Sequence, residues 1–479
     1  MSIAFLLLVP MAGFVAVLAA RRAPRVQAGV ILAMALLSCA LSVALIGAGP
    51  TTLGYAPGGW GAPFGIELRA DRLSRLMLVL TGLLFVAGGA CHLGQTWQGM
   101  TPTERPVYHL AFPLLLFALN CLFLTADFFN FYVCFELVAV SSYLLVAMGK
   151  HAPFEAAWKY SAQSVLGSLC LLTAICLLYS WTGALAMADV AARLVEPARW
   201  VAPLLLVAFL LKGAIFPFHF WQPDAHAAAT TPGSLLLAGL LIKVGLYGLL
   251  RFWPLLLGSS LEQAFLIIGA ASILFGAIAA WRQADAKRLL GFSSVSQLGF
   301  VLVGLGLGSP GAVAAAIFFL AAHSLAKALL FLSTGSIADR MGQTALVELA
   351  GGGRGQRLAN MGYLLGALSL AGLPLTAGFV AKLGLLTEGA RLGQWLWVGL
   401  VALASVMTLG YVLRAYQTLF WGAHPPSPLP GKANPGSSGA IALLSLVVLL
   451  IGVAPAPLWG WCLASAEELA VSRLDWGGR

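Results

Sequence analysis

Six ionisable side chains lie deep inside long apolar stretches of the sequence. They are Glu136, Lys212, Lys243, His323, Lys327 and Lys382. A lysine at the centre of a membrane helix costs about 2.5–3.5 kcal/mol on insertion scales, so four lysines together cost about 10–14 kcal/mol. Ionisable groups kept at such a cost generally mark ion paths, and we predict that these six residues transfer protons. The alternative for a single lysine is that its ammonium extends to the membrane interface or neutralises a structural partner.

Glu136 is the acid of this set and has no opposite charge on its own predicted helical face. Its partner must come from another helix, and Lys212 is the natural candidate. Burial favours the neutral form of each group, whereas pairing favours both charged forms, so making or breaking this pair would load or release a proton.

His323 and Lys327 are four residues apart and therefore share one helix face, on which an imidazole and an ammonium could pass a proton. A buried histidine bonded to a carbonyl is the equally weighted alternative for His323. The segment GFSSVSQLGF (291–300) adds hydroxyl and amide groups that could hold bridging water, although serines in membrane helices commonly bond to their own backbone.

Two of the apolar stretches contain residues that interrupt a helix. The segment LKGAIFPFHFWQPDAHAAATTPGS (211–234) contains the candidate gating residues Pro217, His219, Pro223, Asp224, His226 and Pro232, and LSLAGLPLTAGFVAKLG (368–384) contains Gly372, Pro374 and Gly378. Broken helices at matching positions of two halves are typical of the ion site in a repeat-built transporter, with Lys212 and Lys382 as counterparts. A metal site formed by His219, Asp224 and His226 matches no strong spacing motif, so capping or gating is favoured and no metal is predicted.

The composition identifies the elements that must position these groups. Of 479 residues, 60% are hydrophobic and 9% charged, and the mean hydropathy is +0.92, which excludes a soluble globular protein. Continuous apolar runs predict an all-α polytopic membrane protein with about fourteen spans. We predict three helices in residues 1–107, five-helix units in 108–255 and 262–420, and a last helix with a tail in 421–479. The seven cysteines form no CxxC pair and are expected to be small buried hydrophobic residues.

The charge pattern argues against nucleic acid as a partner and indicates an orientation. The net charge is +10, but the cations are scattered singly and form no basic run. Cations favour the alternate connections that include RRAPR (21–25) and RQADAKR (282–288), so we predict both termini on the outer side of the membrane. The apolar start has its arginines after the apolar run, which favours a first span over a signal peptide. The sequence has no haem, flavin, dinucleotide or iron–sulfur signature, and GGGRGQR lacks a phosphate-loop ending, so we expect no cofactor and no catalytic site in this chain.

The residues LKGAIFPFHFWQPDAHAAATTPGSLLLAGLLIKVGLYGLLRF and RQADAKRLLGFSSVSQLGF closely resemble the antiporter-like subunits shared by respiratory complex I and Mrp-type cation/proton antiporters. The resemblance covers essentially the whole chain. It implies fourteen helices, with two inverted five-helix repeats and with the seventh and twelfth helices broken. By motif match it assigns Glu136 to the fifth helix, Lys212 to the seventh, Lys243 to the eighth and Lys382 to the twelfth. It also places His323 and Lys327 on the eleventh helix, which links the two half-channels.

The subfamily signals conflict. PFHFWQPDAHAAA is most similar to the D-type component of Mrp antiporters, but it continues with ATTPGS where that component typically has APTP or APSP. The GS after the proline resembles M-type components of complex I, which usually have Glu where this chain has Lys382. L-type components have a long lateral helix after the fourteenth span, for which residues 463–479 are too few.

The resemblance implies a proton-conducting subunit of a multisubunit Na⁺/proton antiporter in a bacterial-type inner membrane. Its expected partners are other hydrophobic subunits, the lipid bilayer and protons, with Na⁺ as a further candidate. One alternative is the same channel in a redox-driven complex of the NADH-quinone oxidoreductase or membrane-bound hydrogenase type. A second alternative is a scaffold that transports nothing, in which buried charges hold the helices in register.

Overall fold

The computed structural model describes residues 3–49, 52–95, 100–101, 104–149, 153–194, 200–256, 261–423 and 434–477. Its helices are α1 (Ala4–Ala19), α2 (Pro24–Gly47), α3 (Arg72–Leu93), α4 (Glu104–Leu124), α5 (Phe128–Ala147), α6 (Pro153–Thr182), α7 (Met187–Arg193), α8 (Val201–Lys212), α9 (Trp221–Ala228), α10 (Thr231–Leu236), α11 (Ile242–Leu256), α12 (Leu261–Trp281), α13 (Ala286–Leu307), α14 (Pro310–Met341), α15 (Arg357–Ala371), α16 (Ala377–Arg391), α17 (Trp395–Tyr416), α18 (Pro435–Val453) and α19 (Ala456–Gly477).

Three smaller elements complete the fold. The strands β1 (Leu53–Tyr55) and β2 (Leu68–Ala70) pair antiparallel, with Gly54 opposite Arg69. A π-helical turn, Leu237–Leu241, joins α10 to α11, and a second one, Gln417–Trp421, extends α17. This predominantly helical architecture confirms the predicted all-α class, to which the short hairpin is an addition that the sequence did not predict.

The described helices are those of a multi-pass integral membrane protein. Eleven of them are long and apolar enough to cross a membrane. That set omits the shorter helix α1 and the two interrupted helices, α8 with α9 and α15 with α16. The number fourteen and the division into two five-helix repeats therefore stay predictions.

Side-chain caps fix where several helices begin. An N-terminal cap accepts a hydrogen bond from a backbone N–H that has no partner within its helix. The caps of this type are Asp71 on Ser74, Asp127 on Asn130, Thr230 on Gly233, Asp285 on Arg288, Ser309 on Ala312 and Asn434 on Ser437. Each of these helix starts is therefore encoded locally by a short polar residue in front of an apolar run.

Helix α14 lies at the centre of the molecule. Its most apolar stretch is buried along its entire length, as is that of the helix running from α10 through α11. It packs against α13, α15, α16 and α10. Lys243, His323 and Lys327 therefore lie where protein, and not lipid, surrounds them.

The C-terminal region differs from the prediction. The apolar run 438–462 was expected to form one span followed by a tail, but α18 ends at Val453 and a separate helix, α19, begins at Ala456. Pro455 lacks a backbone N–H and disfavours helical geometry in the residue before it, so it separates the two helices. The apolar residues after the proline, including Trp459 and Cys462, pack onto the protein as part of α19. Sequence hydropathy alone could not distinguish this burial from a continued membrane span.

Candidate functional site

The first predicted interruption is present, and a tryptophan bridges it. Helix α8 ends at Lys212 and α9 begins at Trp221. The indole Nε1 of Trp221 donates a 3.0 Å hydrogen bond to the carbonyl oxygen of Leu211 in the last turn of α8, which also accepts from the backbone N–H of Ala214 at 3.3 Å. The Trp221 ring also stacks on Tyr160 of α6, with centroids 4.0 Å apart. The break is therefore a built feature held between two helices.

Lys212 is the last residue of α8 and is only 2% exposed. Its Nζ lies 3.5 Å from Ser164 Oγ, 4.8 Å from the ring centroid of Phe135 and 5.6 Å from that of Tyr160. Glu136 of α5 is close enough for its charge to act on Lys212. Yet Glu136 Oε1 is buried and forms no hydrogen bond with another described residue. The predicted partners are therefore neighbours, but this structure shows them apart and not as a direct ion pair.

The second interruption lies between α15 and α16 and is built around Lys382. Lys382 Nζ donates hydrogen bonds to the carbonyl oxygens of Leu370, at 2.7 Å, and Ala371, at 3.4 Å, at the C-terminal end of α15. It also lies 4.5 Å from the ring centroid of Phe300. A helix C-terminus carries partial negative charge, so the break supplies a site for this cation.

Two glycines make this second break possible. Gly372 has a φ of +81°, and a Cβ there would lie 2.8 Å from Lys382 Cδ, so glycine provides both the left-handed turn and the space for the lysine. A Cβ on Gly378 would lie 1.7 Å from the carbonyl oxygen of Ser369. Lys212 and Lys382 both lie at breaks, as expected, but Lys212 ends the first half-helix whereas Lys382 belongs to the second.

Lys243 follows the π-helical turn Leu237–Leu241 and is fully buried. Its ammonium donates to the carbonyl oxygen of Ala238, within that turn. A π-turn disrupts the regular hydrogen-bond ladder of an α-helix, and such turns are frequent at functional sites. Gly245, two residues further on, packs on the backbone of α8, since a Cβ there would lie 2.5 Å from the nitrogen of Gly213. The Lys243 segment and the Lys212 segment are therefore in direct backbone contact.

His323 and Lys327 occupy one face of α14, as their spacing predicted. Lys327 Nζ donates to the carbonyl oxygen of Leu290, at 2.7 Å, and to Ser293 Oγ, at 2.9 Å. His323 stacks on Phe319, with centroids 6.0 Å apart, and neither of its ring nitrogens has a hydrogen-bond partner among the described residues. The expected alternative, a histidine bonded to a carbonyl, is therefore not what the described part of the chain shows.

His323 occupies the middle of the set. The charges of Lys243, Lys327 and Lys382 and the imidazole of His226 all act on it. These interactions define two groups of residues. Glu136 and Lys212 form the first group. In the second group, Lys243, Lys327, Lys382 and His226 surround His323. The backbone contact between α8 and α11 is the place where the two groups meet.

Several buried polar atoms around this set have no partner among the described residues. They include both side-chain amide atoms of Gln222, both ring nitrogens of His226 and Ser168 Oγ. In protein interiors such atoms are typically met by bound water, which makes two to four hydrogen bonds. The region between α9 and α14 therefore has the polarity that a hydrated path requires.

Asp224 ties the second half of the first broken helix to its surroundings. It forms an ion pair with Lys159 of α6, at 3.0 Å, and another with Arg288 of α13. His226 stacks instead on Phe331, and His219 lies against Phe275. The three residues weighed as a metal site thus point to different partners, and within the described ranges no group of three or more His, Cys, Asp or Glu could hold a metal ion.

The sequence analysis named the hydroxyl and amide groups of GFSSVSQLGF, but it missed their partners and other polar residues nearby. Ser293, which binds Lys327, also bonds to Tyr411 at 3.0 Å, and Gln297 donates to Thr408 at 3.0 Å. His92 and His109, whose rings are 4.8 Å apart, form another buried polar pair, in which His109 Nδ1 lies 2.5 Å from Gln27 Oε1. Single hydroxyl and imidazole groups in apolar helices are common. Only their convergence in the folded structure distinguishes residues of a site from other buried polar residues.

Comparisons with known proteins identify relatives of this chain in sequence and in fold. Residues 125–408, more than half of the chain, match the family described as NADH:quinone oxidoreductase/Mrp antiporter, TM. The chain is 31% identical to the D-type component of the Na⁺/H⁺ antiporter of Alkalihalophilus pseudofirmus over 92% of its length and 90% of that relative. It is 30% identical to the N-type component of the NADH-quinone oxidoreductase of Desulforudis audaxviator over 83% of each. The structure is similar to a chain of the Mrp complex from Dietzia sp., with a TM-score of 0.89 and 25% identity over 98% of this chain and 97% of that one.

Proposed function

This chain belongs to the NADH:quinone oxidoreductase/Mrp antiporter family of membrane proteins, and on that premise we propose that it is the proton-translocating subunit of a multisubunit Na⁺/proton antiporter. The relatives named as D-type components of Na⁺/H⁺ antiporters support the antiporter assignment. The observation that carries it is a set of six ionisable groups inside the helix bundle, of which Glu136 on α5 is half-buried and the other five are buried. These five are Lys212 and Lys382 at the two helix breaks, Lys243 after the π-helical turn, and His323 and Lys327 on the central helix α14.

The proposed path runs from Glu136 and Lys212 through Lys243, His323 and Lys327 to Lys382. Protons enter one half-channel, pass between these side chains through bound water and leave by the other half-channel. Each ammonium already donates to carbonyl or hydroxyl oxygens, so it can lose a proton to water and keep its position. Because like charges act on one another around His323, protonation at one end of the group disfavours protonation at its neighbour. This coupling moves protons in sequence.

Both broken helices serve the path as gates. The residues that build them are Pro217, His219, Pro223, Asp224, His226 and Pro232 at the first break, and Gly372, Pro374 and Gly378 at the second. Asp224 holds α9 between α6 and α13, so a change in that pairing would move the segment that carries His226.

The test is antiport in membrane vesicles that contain the whole complex, followed as the change in internal pH when Na⁺ is added. We expect Lys212→Ala or Glu136→Gln to abolish antiport while the complex still assembles. The matched control is Glu155→Gln, whose side chain is 65% exposed on α6 and pairs with Lys159. Normal antiport in a fully assembled Lys212→Ala complex would refute the assignment.

A second candidate is a proton-pumping subunit of a redox-driven complex. The similarity to the N-type component of an NADH-quinone oxidoreductase favours it. Purification of the native assembly with this subunit tagged separates the two candidates by visible absorption and partner masses. Colourless hydrophobic partners support the antiporter, whereas iron–sulfur or flavin absorption supports the redox-driven pump.

We further propose that the chain resides in a bacterial-type inner membrane with both termini on the outer side, among other hydrophobic subunits. The cation-rich connections after α1 and after α12 support this orientation. A cysteine-accessibility experiment on Arg22→Cys and Trp60→Cys tests it. The label should reach Trp60→Cys from outside and Arg22→Cys only from the cytoplasm.

A further inference from the structure

Helix α11 continues the polar face of Lys243 toward one surface of the membrane. Tyr247 and Arg251 follow Lys243 at intervals of four residues, so the three side chains lie on one stripe of the helix. Lys243 and Tyr247 are fully buried, and the Arg251 side chain is 15% exposed. At 1.5 Å per residue, Arg251 is about 12 Å from Lys243 along the helix axis. The stripe is therefore a potential escape route for protons from the middle of the path.

Arg251 closes this route and is held from several directions. Its Nη2 donates to Ser74 Oγ at 2.7 Å and to Tyr247 OH at 2.9 Å, and its Nη1 forms an ion pair with Asp71. Tyr247 OH in turn donates to the carbonyl oxygen of Phe123 at 3.0 Å. The guanidinium therefore bonds directly to Tyr247, the residue that lies between Arg251 and Lys243 on this stripe of the helix.

More positive charge surrounds this point. Arg72 forms an ion pair with Glu468 of α19, and the buried Arg75 donates to the carbonyl oxygens of Ala70, at 3.1 Å, and Gly49, at 2.5 Å. Burial raises the pKa of Asp71, but the charge and hydrogen bond of Arg251 and the amide of Ser74 outweigh that effect, so the pKa lies below its ordinary value. Asp71 is therefore ionised at neutral pH, and its carboxylate fixes the guanidinium in place.

We propose that Arg251 is an electrostatic barrier that seals this end of the first half-channel against proton leak from Lys243. A fixed guanidinium is always protonated and repels an approaching cation, the means by which narrow pores exclude protons. The inference rests on the proposed function and adds to it a residue that keeps protons from leaving the path at this end of α11.

The test measures passive proton leak, without Na⁺, in liposomes that contain the whole complex and a trapped pH dye. We expect Arg251→Gln to speed the decay of an imposed pH gradient about tenfold, the Coulomb effect of one charge at about 12 Å with an effective dielectric constant of about 20. Arg251→Lys keeps the charge and should stay tight. Arg414→Gln is the matched control, because Arg414 ends the last helix of the predicted second unit and is exposed.

Two further variants separate a barrier from a purely structural ion pair. Asp71→Asn breaks the same pair, but Ser74 Oγ and Tyr247 OH still accept from the charged guanidinium, so these vesicles should stay much tighter than those of Arg251→Gln. A purely structural role predicts a leak as large as that of Arg251→Gln. Adding Lys243→Met to Arg251→Gln should abolish the leak, because the proton donor is gone. A leak that persists in this double variant is a packing defect and would overturn the proposal, as would tight Arg251→Gln vesicles.

If Arg251→Gln does not assemble, Arg251→His provides the same test through pH. Its imidazole is charged below and neutral above an ordinary pKa of about 6.5, so the leak should appear as pH rises through that range. A leak independent of pH, or none at high pH, overturns the barrier. The two proposals can fail separately. If Lys212→Ala loses antiport but Arg251→Gln vesicles stay tight, only the barrier is refuted. If Lys212→Ala retains antiport, the proposed function is refuted.

Discussion

Replacing Lys382 is the most direct test of whether this chain transports protons or only holds the helices of the complex together. The break between α15 and α16 is built around the ammonium of this residue. In Lys382→Met the chain keeps its volume but loses the hydrogen bonds to Leu370 and Ala371 and the contact with Phe300. The short hydrogen bond from the ammonium to Leu370 contributes about 1.5–3 kcal/mol, the helix terminus, taken together with the longer bond to Ala371, about 1 kcal/mol, and the aromatic face about 1 kcal/mol. These sum to about 3.5–5 kcal/mol.

Against this loss stands the cost of keeping a lysine in the membrane interior, about 2.5–3.5 kcal/mol, which methionine avoids. The free energy of unfolding should therefore change by no more than about 2.5 kcal/mol, and the complex should assemble. Transport should fall at least about 100-fold, the usual contribution of a positioned proton-transfer group. Thermal unfolding of the purified complex and antiport in vesicles measure the two effects separately.

Arginine at the same position makes the comparison decisive. Lys382→Arg keeps the positive charge and can donate to the same carbonyls, but a guanidinium does not release its proton. We expect normal assembly without transport in Lys382→Arg, and recovery of some transport in Lys382→Glu, which restores an ionisable group. Full transport in Lys382→Arg would show that only the charge matters and would refute proton transfer through this residue.

Two further variants test the centre of the path and the second break. His323→Gln should lower transport by roughly tenfold or more in the vesicle assay, since it removes the imidazole on which three lysines act. Ser324→Ala on the same helix is the control and should leave transport unchanged, because among the described residues the Ser324 hydroxyl bonds only to the carbonyl of Leu320 in its own helix. Gly378→Ala should lower the stability of the assembled complex by about 1–3 kcal/mol or prevent assembly, because its Cβ would overlap the carbonyl of Ser369. Gly399→Ala on α17, whose Cβ would meet nothing within 4 Å, is its control, and equal unfolding temperatures for the two glycine variants would contradict the packing argument.

The positions of the chemical groups could be predicted because each one violates the apolar composition around it. Lys212 and Lys382 in apolar runs beside prolines and glycines predicted both breaks, and the structure has both. The spacing of His323 and Lys327 predicted their common face. These predictions succeed because a charge in a membrane span is rare enough to be informative by itself.

The contacts of these groups could not be predicted. Sequence periodicity gives the face of a helix but not the rotation of that helix against its neighbours. The position of Lys212, beside Ser164 and apart from Glu136, therefore could not be predicted. Arg251 was not singled out, because its partner Asp71 is distant in the chain. The division at Pro455 was missed because residues on both sides of it are apolar, and hydropathy does not report which apolar side chains contact protein.

The π-helical turn Leu237–Leu241 determines what kind of change this segment can tolerate during evolution. A π-helical turn contains about one residue more than an α-helical turn, and this extra residue sets the rotation of the following helix about its own axis. Deleting a single residue there would therefore rotate Lys243 by about 100° around the helix axis. Its ammonium would then face a different neighbouring helix, and Tyr247 and Arg251 would turn away from Ser74 and Asp71. In related chains that keep this architecture, we therefore expect the side chains between Ser234 and Lys243 to vary more readily than the number of residues in this segment. An insertion or deletion in this segment would indicate that the lysine site is built differently.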